Sequence, residues 1–199
     1  MNKPLLGQRI AVLVANGFSE KDLTFTQKAM AGTGACVRIV AMDHGLVNSW
    51  AGEGWGLNFA ADQVLSQALA ADYDMLLVPG GRRSIEKLEL TAHTRRFIAG
   101  FIDTHKPVVF YEDALELLLF SERVKGRTVA GPVCFEARVT EQGGDFSDAP
   151  YILSAGVMTG RSDEDTREEY AGAVSQFLTH GTSGDQEEKR GETPEPVAA

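Results

Sequence analysis

The stretch that decides the fold is KPVVFYEDALELLLF, residues 106–120. Residues Val108 to Phe110 form a short apolar run of the kind found in strands that are covered on both faces. The leucines between positions 115 and 119 continue as the apolar face of a helix. The segment therefore predicts a buried strand that turns abruptly into a helix, with Glu112 and Asp113 at the turn.

A turn of this kind, at the carboxyl edge of a parallel sheet, lifts one side chain above the sheet and points backbone N–H groups at it. Enzymes commonly place a nucleophile at such an elbow. Here the position holds a carboxylate. What the protein does depends on whether this carboxylate takes part in chemistry.

The rest of the chain repeats the alternation of strand and helix. Three more apolar runs are RIAVLVA (Arg9 to Ala15), CVRIVAM (Cys36 to Met42) and DMLLVPGG (Asp74 to Gly81). Helix-like segments cover Leu23 to Gly32, Val64 to Ala70, Ala92 to Thr104 and Asp113 to Ser121. This alternation predicts parallel strands joined by crossover helices, and hence a doubly wound α/β sheet.

Two further segments read as hairpins. GLVNSWAGEGWGLNF (Gly45 to Phe59) predicts a hairpin beside the sheet, and its Trp50 and Trp55 belong either to the core or to an interface. YILSAGVMTG (Tyr151 to Gly160) predicts a second hairpin. A helix from Asp163 to Leu178 follows, opened by a serine cap and by acidic residues at its positive end.

Length and composition restrict the class of protein. The chain has 199 residues, 43% hydrophobic content and a formal net charge of -9. We predict one domain over residues 1–180 and a disordered acidic tail over 181–199. The acidic balance argues against nucleic acid as a partner, and no apolar run is long enough for a membrane span, so we predict a cytoplasmic protein. Cys36 and Cys134 are expected to be reduced thiols.

Four segments in this order, DMLLVPGG, KPVVFYEDA, VKGRTV and VMTGRSDEDTREEY, resemble the ThiJ/PfpI family of the class I glutamine amidotransferase-like superfamily. The likeness runs from about Arg9 to Leu178, and the KPV and KGR signatures keep the family's spacing without a gap. The resemblance implies a flavodoxin-like fold of three α/β/α layers and a homodimer or larger homo-oligomer. It calls for no cofactor and no metal ligand.

In that family the turn after KPV carries the pattern A-I-C-H-G, in which the cysteine is the nucleophile. Counting from Lys106 places Glu112 on the cysteine position and Asp113 on the histidine, so the resemblance implies that the thiol is absent. NGFSEKDL resembles the family's DGFEEIEL and places Asp22 on the acid that contacts the cysteine. A family glutamate near a subunit interface corresponds, after a shift of one residue, to Glu86.

The resemblance also assigns N–H groups to the elbow. Gly80 and Gly81, with the N–H of residue 113, would form an oxyanion hole, although a tight turn after a strand explains the same two glycines. Three other residues are candidates for the edge of the pocket, with ordinary surface or packing roles as the alternative: His44, Arg82 and Cys134.

These residues leave several functions open. A glutamate cannot replace a thiolate, so protease, amidase or glutaminase activity by the family's route is not expected. The first hypothesis is a non-catalytic pseudoenzyme that serves as a binding, regulatory or stress-associated module, with a small molecule as its candidate ligand. The second is a hydrolase or lyase for a small carbonyl metabolite, using Glu112 with Asp22 or Asp113. The third is a divalent-cation site among these acids. In a purely structural interpretation, Glu112 only caps its own helix.

Overall fold

The computed structural model describes residues 3–180, so the tail predicted at 181–199 lies outside the described residues. The strands are β1 (Arg9–Val14), β2 (Phe18–Ser19), β3 (Cys36–Ala41), β4 (Leu46–Trp50), β5 (Trp55–Ala60), β6 (Gln63–Val64), β7 (Met75–Val78), β8 (Val108–Tyr111), β9 (Thr128–Ala130), β10 (Asp145–Ser147), β11 (Tyr151–Ser154) and β12 (Val157–Gly160). The α-helices are α1 (Glu20–Ala29), α2 (Arg82–Leu88), α3 (Ala92–Asp103), α4 (Leu115–Phe120), α5 (Glu136–Glu141) and α6 (Arg167–His180). Short 3-10 helices cover Ala70–Asp72, Glu112–Ala114 and Val133–Phe135.

Seven of these strands form one twisted sheet in the order β11-β12-β8-β7-β1-β3-β6. All neighbours in it are parallel except β11, which pairs antiparallel with β12. The order places β1, β7 and β8 at the centre, so the segments that follow these three strands meet at one edge of the sheet. The predicted doubly wound α/β sheet is confirmed.

Both faces of the sheet are covered, because consecutive side chains of a strand point to opposite faces. Val108 and Phe110 belong to a core cluster shared with α3 and α4, whereas Val109 and Tyr111 belong to a second cluster shared with α1 and α6. This double burial explains why the central strands carry unbroken apolar runs instead of alternating apolar and polar residues. The result is the predicted three-layer α/β/α arrangement.

The predicted helix at Val64 to Ala70 is wrong. Val64 ends β6 and pairs with Ala41 of β3, and the N–H of Leu65 donates to the Ala41 carbonyl. The carbonyls of Ser66 and Ala68 accept from the guanidinium of Arg96. One turn remains, in which the N–H groups of Gln67 and Ala68 donate to the Val64 carbonyl, and the tertiary hydrogen bonds prevent a longer helix.

The predicted boundaries of two helices need correction. The first helix ends at Ala29, and Gly32 lies in the following turn with φ 85°. The last helix begins at Arg167, because Oδ1 of Asp163 accepts from the N–H and hydroxyl of Thr166 and so holds the preceding turn in place. Helices α2 and α5, with seven and six residues, are too short for a periodic signal and are absent from the prediction.

The hairpins agree with the prediction. β4 and β5 pair antiparallel and, with β2, form a small sheet beside the main one. Trp50 and Trp55 contact each other edge to face at 5.6 Å between ring centroids, and the guanidinium of Arg83 lies 4.0 Å from the Trp50 ring. Cys36 is the partly exposed first residue of β3. None of the helices in residues 3–180 has the length and apolarity needed to cross a membrane.

Candidate functional site

The elbow lies between β8 and α4. The strand ends at Tyr111, a 3-10 turn covers Glu112–Ala114, and the helix starts at Leu115. Glu112 has φ 50°, in the left-handed region that a side chain other than glycine adopts at a cost. Ala114 and Leu115 are fully packed in the core, so the surrounding structure holds the turn in this conformation.

Glu112 is half-buried and bound at one oxygen. Its Oε2 accepts a hydrogen bond of 2.7 Å from the N–H of Ser162, in the loop after β12. Burial raises the pKa of Glu112, and the nearby carboxylates of Asp113 and Asp163 add to the increase, while the Ser162 N–H and Arg161 oppose it. The side chain is therefore directed at a backbone donor inside the fold.

Asp22 lies below the elbow, in the first turn of α1, with 1% exposure. Its Oδ2 accepts from the N–H of Gly80 at 3.0 Å. Its Oδ1 has no hydrogen bond of ordinary geometry among the described residues, and lies 3.9 Å from Nε of Arg167. Burial raises the pKa of Asp22 to about 6, although the Ser162 hydroxyl, the Gly80 N–H and Arg167 favour the charged form. A buried carboxylate with a pKa so close to neutrality is poised to exchange a proton.

Asp113 completes the group of acids. Its Oδ1 accepts from the N–H of Gly81 at 2.7 Å, and its own backbone N–H also stabilises the carboxylate. Burial, as the largest effect, still raises the pKa of Asp113. A Cβ on Gly80 would lie 2.7 Å from Oδ1 of Asp113 and 3.1 Å from Oδ2 of Asp22, so only glycine fits between the two carboxylates.

The three N–H groups that the resemblance assigns to an oxyanion hole thus face carboxylates of the chain itself. Gly80 donates to Asp22, Gly81 donates to Asp113, and the N–H of Asp113 stabilises its own side chain. In this arrangement none of the three is free to receive an oxygen of a substrate. Glycine is required at both positions for space, because an added Cβ would lie 2.7 Å from Asp113 Oδ1 at Gly80 and 2.6 Å from the Gly17 carbonyl oxygen at Gly81.

Other predicted residues lie away from the elbow turn. Glu86 and Arg82 pair with each other at 2.8 Å on the exposed face of α2. His44 is exposed in the turn after β3. Cys134 is exposed in the 3-10 helix after β9. The structure therefore brings together Glu112, Asp113, Asp22 and the two glycines, and leaves the remaining candidates on the surface.

Sequence reasoning missed three residues that complete the site. Ser162 supplies the N–H that binds Glu112 and a hydroxyl that acts on Asp22. Arg161 acts on Glu112 and Arg167 on Asp22, while the predicted Arg82 acts on Asp113. Nε of Arg161 and Nε of Arg167 are buried without a hydrogen bond in the described part of the chain. The segment VMTGRSDEDTREEY predicts a serine cap for the last helix, whereas Ser162 binds Glu112 and Asp163 holds the turn before the helix.

A metal ion has no evident position. Residues 3–180 contain no group of three or more His, Cys, Asp or Glu side chains placed to hold one. The acids at the elbow instead use backbone N–H groups as partners. The hypothesis of a divalent-cation site therefore gains no support from the geometry.

Comparison with known proteins gives a consistent result. The sequence profile of the DJ-1/PfpI family matches residues 8–175. Among solved structures, the ThiJ/PfpI domain protein from Brachyspira murdochii superimposes with a TM-score of 0.76 at 15% identity, covering 88% of this chain and 98% of that one. This likeness establishes the fold.

Three curated relatives cover the same region. "Putative cysteine protease YraA" of Bacillus subtilis (strain 168) is 27% identical over 160 residues, or 80% of this chain and 92% of the relative. "General stress protein 18" of the same organism is 23% identical over 161 residues, with the same two coverages. "Protein/nucleic acid deglycase 2" of Escherichia coli (strain K12) is 23% identical over 163 residues, again with these coverages.

Proposed function

The chain belongs to the DJ-1/PfpI family, and we propose that it is a non-catalytic member, a binding or regulatory module without the family's thiol chemistry. The observation that carries the proposal is the occupation of the elbow by carboxylates. Glu112 stands at the turn, while Asp22 and Asp113 accept from the N–H groups of Gly80 and Gly81. A site arranged in this way lacks a nucleophilic sulfur at the turn and free N–H groups at Gly80 and Gly81.

Electrostatics make acyl-transfer chemistry at this elbow unfavourable. An oxyanion that develops beside Asp113 would meet a negative charge and would have to displace it from Gly81. Loss of a single oxyanion donor in an enzyme costs about 100- to 1000-fold in rate. Here Gly80 and Gly81 are both engaged, so a reaction through a tetrahedral intermediate has no preorganised support.

The same charges indicate what such a module would bind. A ligand that approaches Glu112 meets half-buried carboxylates, so a neutral or cationic small molecule with hydrogen-bond donors is favoured over an anion. The relative named a general stress protein supports a stress-associated role. We propose that the protein acts in the cytoplasm.

The first test is activity against aldehydes, peptides and amides, using the wild type, Glu112→Gln and Cys134→Ser. We expect every variant to match the buffer blank, because neither a thiolate nor a free oxyanion donor is available at the elbow. Glu122→Gln is the matched control, since Glu122 is an exposed glutamate with φ 57°. Circular dichroism establishes that each variant is folded.

Two outcomes of this assay contradict the proposal. Turnover that is lost in Glu112→Gln but kept in Glu122→Gln would mean that Glu112 does chemistry. Turnover that is lost in Cys134→Ser alone would instead identify a displaced thiol. Either result replaces the binding module with an enzyme.

One observation favours a second candidate function, acid/base catalysis on a small carbonyl compound. The pKa of Asp22 is raised to about 6, and that of Glu112 is raised as well. Such groups can take up and release a proton near neutral pH. The relative named a deglycase gives this candidate a precedent in the family. Its signature would be a pH-rate profile that Glu112→Gln abolishes.

We also propose that two copies of the chain associate through β5. This strand is the edge of the small sheet, and its sequence WGLNFA carries no charge and no proline to block pairing. Trp55 and Leu57 are 55% and 58% exposed and lie two positions apart, on the same face of the strand. The side chains of this strand carry no charge in a chain of net charge -9, and the Glu20 carboxylate beside it is bound by the Leu57 N–H and the Ser49 hydroxyl.

The expected result is a dimer that Leu57→Lys dissociates. A lysine on each copy would place like charges at the strand pair, so the affinity is expected to fall by about tenfold or more. Light scattering coupled to size exclusion measures the mass of each variant. Leu90→Lys is the control, because Leu90 is 83% exposed and lies off the strand. A monomeric wild type, or a dimer that both lysine variants leave intact, would rule out this interface.

A further inference from the structure

The dipeptide Asn16–Gly17 lies between β1 and β2, and its chemistry takes no part in the proposed function. Among the asparagines of the chain, at positions 2, 16, 48 and 58, only Asn16 precedes a glycine. Glycine has no side chain to hinder its backbone nitrogen, so this nitrogen can approach the side-chain carbonyl of the asparagine before it. In an open chain, Asn16 is therefore the asparagine most prone to deamidation.

Deamidation of such a dipeptide consumes only water. The Gly17 nitrogen loses its proton and bonds to Cγ of Asn16, the bond from Cγ to Nδ2 breaks, and ammonia leaves a five-membered imide behind. One water molecule then opens the imide at either of its two carbonyl carbons. Opening at Cγ gives aspartate in an ordinary main chain. Opening at the main-chain carbonyl gives isoaspartate, in which the chain continues through Cγ.

In the folded protein, one residue of β4 holds both reacting groups. The N–H of Gly17 donates to the Asn48 carbonyl at 2.8 Å, and Oδ1 of Asn16 accepts from the Asn48 N–H, also at 2.8 Å. Gly17 is buried as well. The nitrogen that must lose its proton is therefore engaged as a donor and shielded from water. The carbonyl that it must attack is fixed by a separate hydrogen bond.

A side chain of α2 covers the same place. A Cβ added to Gly17 would lie 2.6 Å from Cβ of Arg83, so these two residues are in close contact. The guanidinium of Arg83 stacks on the ring of Trp50 in β4, and Trp50 pairs with Trp55 in β5. The cover over Gly17 thus depends on the same β4–β5 hairpin as the hydrogen bonds described above.

This hairpin has the properties of a segment that opens locally. Four of the six residues of β5 are exposed, and the pairing with β4 is irregular between Asn48 and Trp50. Glu20 ties the hairpin to α1, because its Oε2 accepts from the Ser49 hydroxyl at 2.5 Å and from the Leu57 N–H at 2.6 Å. Segments with little buried surface open at a lower free energy than the core of a protein.

We propose that Asn16 is a modification site that is protected while the β4–β5 hairpin is closed and is deamidated when the hairpin opens. The isoaspartate product would lengthen the main chain by one carbon just before Gly17. A Cβ on Gly81 would lie 2.6 Å from the Gly17 carbonyl oxygen, so a shift of Gly17 reaches Gly81 and its hydrogen bond to Asp113. The proposal does not depend on the proposed function of the elbow.

The first test follows deamidation at pH 8 by mass spectrometry of the peptide that contains Asn16. We expect the folded wild type to react at least about tenfold more slowly than the same chain in guanidinium chloride, because only the open fraction of molecules can react. Asn58 is the internal control, since it is exposed and precedes a phenylalanine, and it should stay largely intact in both states. Equal rates for Asn16 in the folded and unfolded states would overturn the proposal.

A variant separates opening of the hairpin from unfolding of the whole chain. Glu20→Ala removes the tie between the hairpin and α1 and leaves the reacting dipeptide unchanged. Because two hydrogen bonds to a charged group are lost, we expect deamidation of the folded variant to rise by about tenfold. Lys21→Ala is the matched control, because Lys21 is the exposed next residue of α1 and should leave the rate unchanged. Equal rates in the two variants would show that the hairpin does not control the reaction.

Hydrogen exchange keeps the proposal falsifiable if Glu20→Ala folds poorly. The Gly17 amide of the wild type must leave Asn48 before it can exchange or attack, so both processes report the same opening. Its protection against exchange should therefore equal the ratio of the deamidation rates in the unfolded and folded protein. A Gly17 amide that exchanges as fast as in an unfolded chain, or a strongly protected one beside a rapidly deamidating Asn16, would contradict the proposal.

Discussion

Replacing Gly81 with alanine is expected to lower the free energy of unfolding severely. Gly81 precedes α2 with φ 116° and ψ 98°, a conformation that only glycine adopts freely. An added Cβ would lie 2.6 Å from the Gly17 carbonyl, 2.7 Å from the Ser19 nitrogen and 2.8 Å from the Phe18 Cα. These are backbone atoms that cannot turn away. The backbone strain and the displacement of these atoms together are expected to lower the free energy of unfolding by about 4 kcal/mol or more. This is a large part of the roughly 5–15 kcal/mol by which a typical domain is stable.

Urea unfolding followed by circular dichroism measures this loss, and Gly52→Ala separates its two causes. Gly52 has a similar φ of 105°, in the turn between β4 and β5, and a Cβ there meets nothing within 4 Å. That variant should lose only the strain, about 2 kcal/mol. If Gly81→Ala proves no less stable than Gly52→Ala, the close approach of residues 17–19 to Gly81 is incorrect.

Replacing Asp22 with asparagine is expected to stabilise the protein at pH 8 by about 1–3 kcal/mol and to have little effect at pH 4. The amide removes a buried charge and keeps an oxygen for the N–H of Gly80, which now binds Oδ2 at 3.0 Å. The reason is the raised pKa of Asp22, from 3.8 to about 6, which burial causes. Ionising the buried Asp22 lowers the free energy of unfolding of the wild type at pH 8. Asparagine cannot ionise, so the variant avoids this loss.

The contribution of Asp22 to stability depends on pH. Because the folded pKa is above the unfolded value, the contribution of Asp22 is fully present below about pH 3.8 and is lost as the pH rises through about 6. Urea titrations at pH 4, 6 and 8 should therefore show the gap between Asp22→Asn and the wild type opening with pH. Asp165→Asn, an exposed position, is the control and should show no such opening. A gap that stays constant would mean that Asp22 ionises normally in the fold.

Much of the fold could be predicted because its signals are local. The central strands are apolar over consecutive residues, and the turn at Glu112 follows from the change of period between Val108 and Leu119. The failures came where contacts from distant residues override the local pattern. The segment from Val64 to Ala70 has the composition of a helix. Pairing of Val64 with β3 and hydrogen bonds from Arg96 to the carbonyls of Ser66 and Ala68 hold it in an irregular path instead.

The acids of the candidate site could be predicted from the sequence, but their hydrogen-bond partners could not. Its members Glu112, Asp113 and Asp22 were found by counting along motifs, which the chain displays directly. Which N–H binds which carboxylate was not predicted, because Gly80 lies 58 positions from Asp22, and Ser162 lies 50 positions from Glu112. No local pattern tells which N–H a carboxylate will accept from.

The sequence by itself determined that a doubly wound sheet forms and that a carboxylate stands at its elbow. Strand burial and the strand-to-helix turn depend on residues that are adjacent in the chain, so a local pattern indicates both. Only the tertiary structure decided that Asp22 and Asp113 take the N–H groups of Gly80 and Gly81, and that Glu86 pairs outward with Arg82. Charge and hydrogen bonding depend on distances through space, and these exist only once the helices and strands have packed.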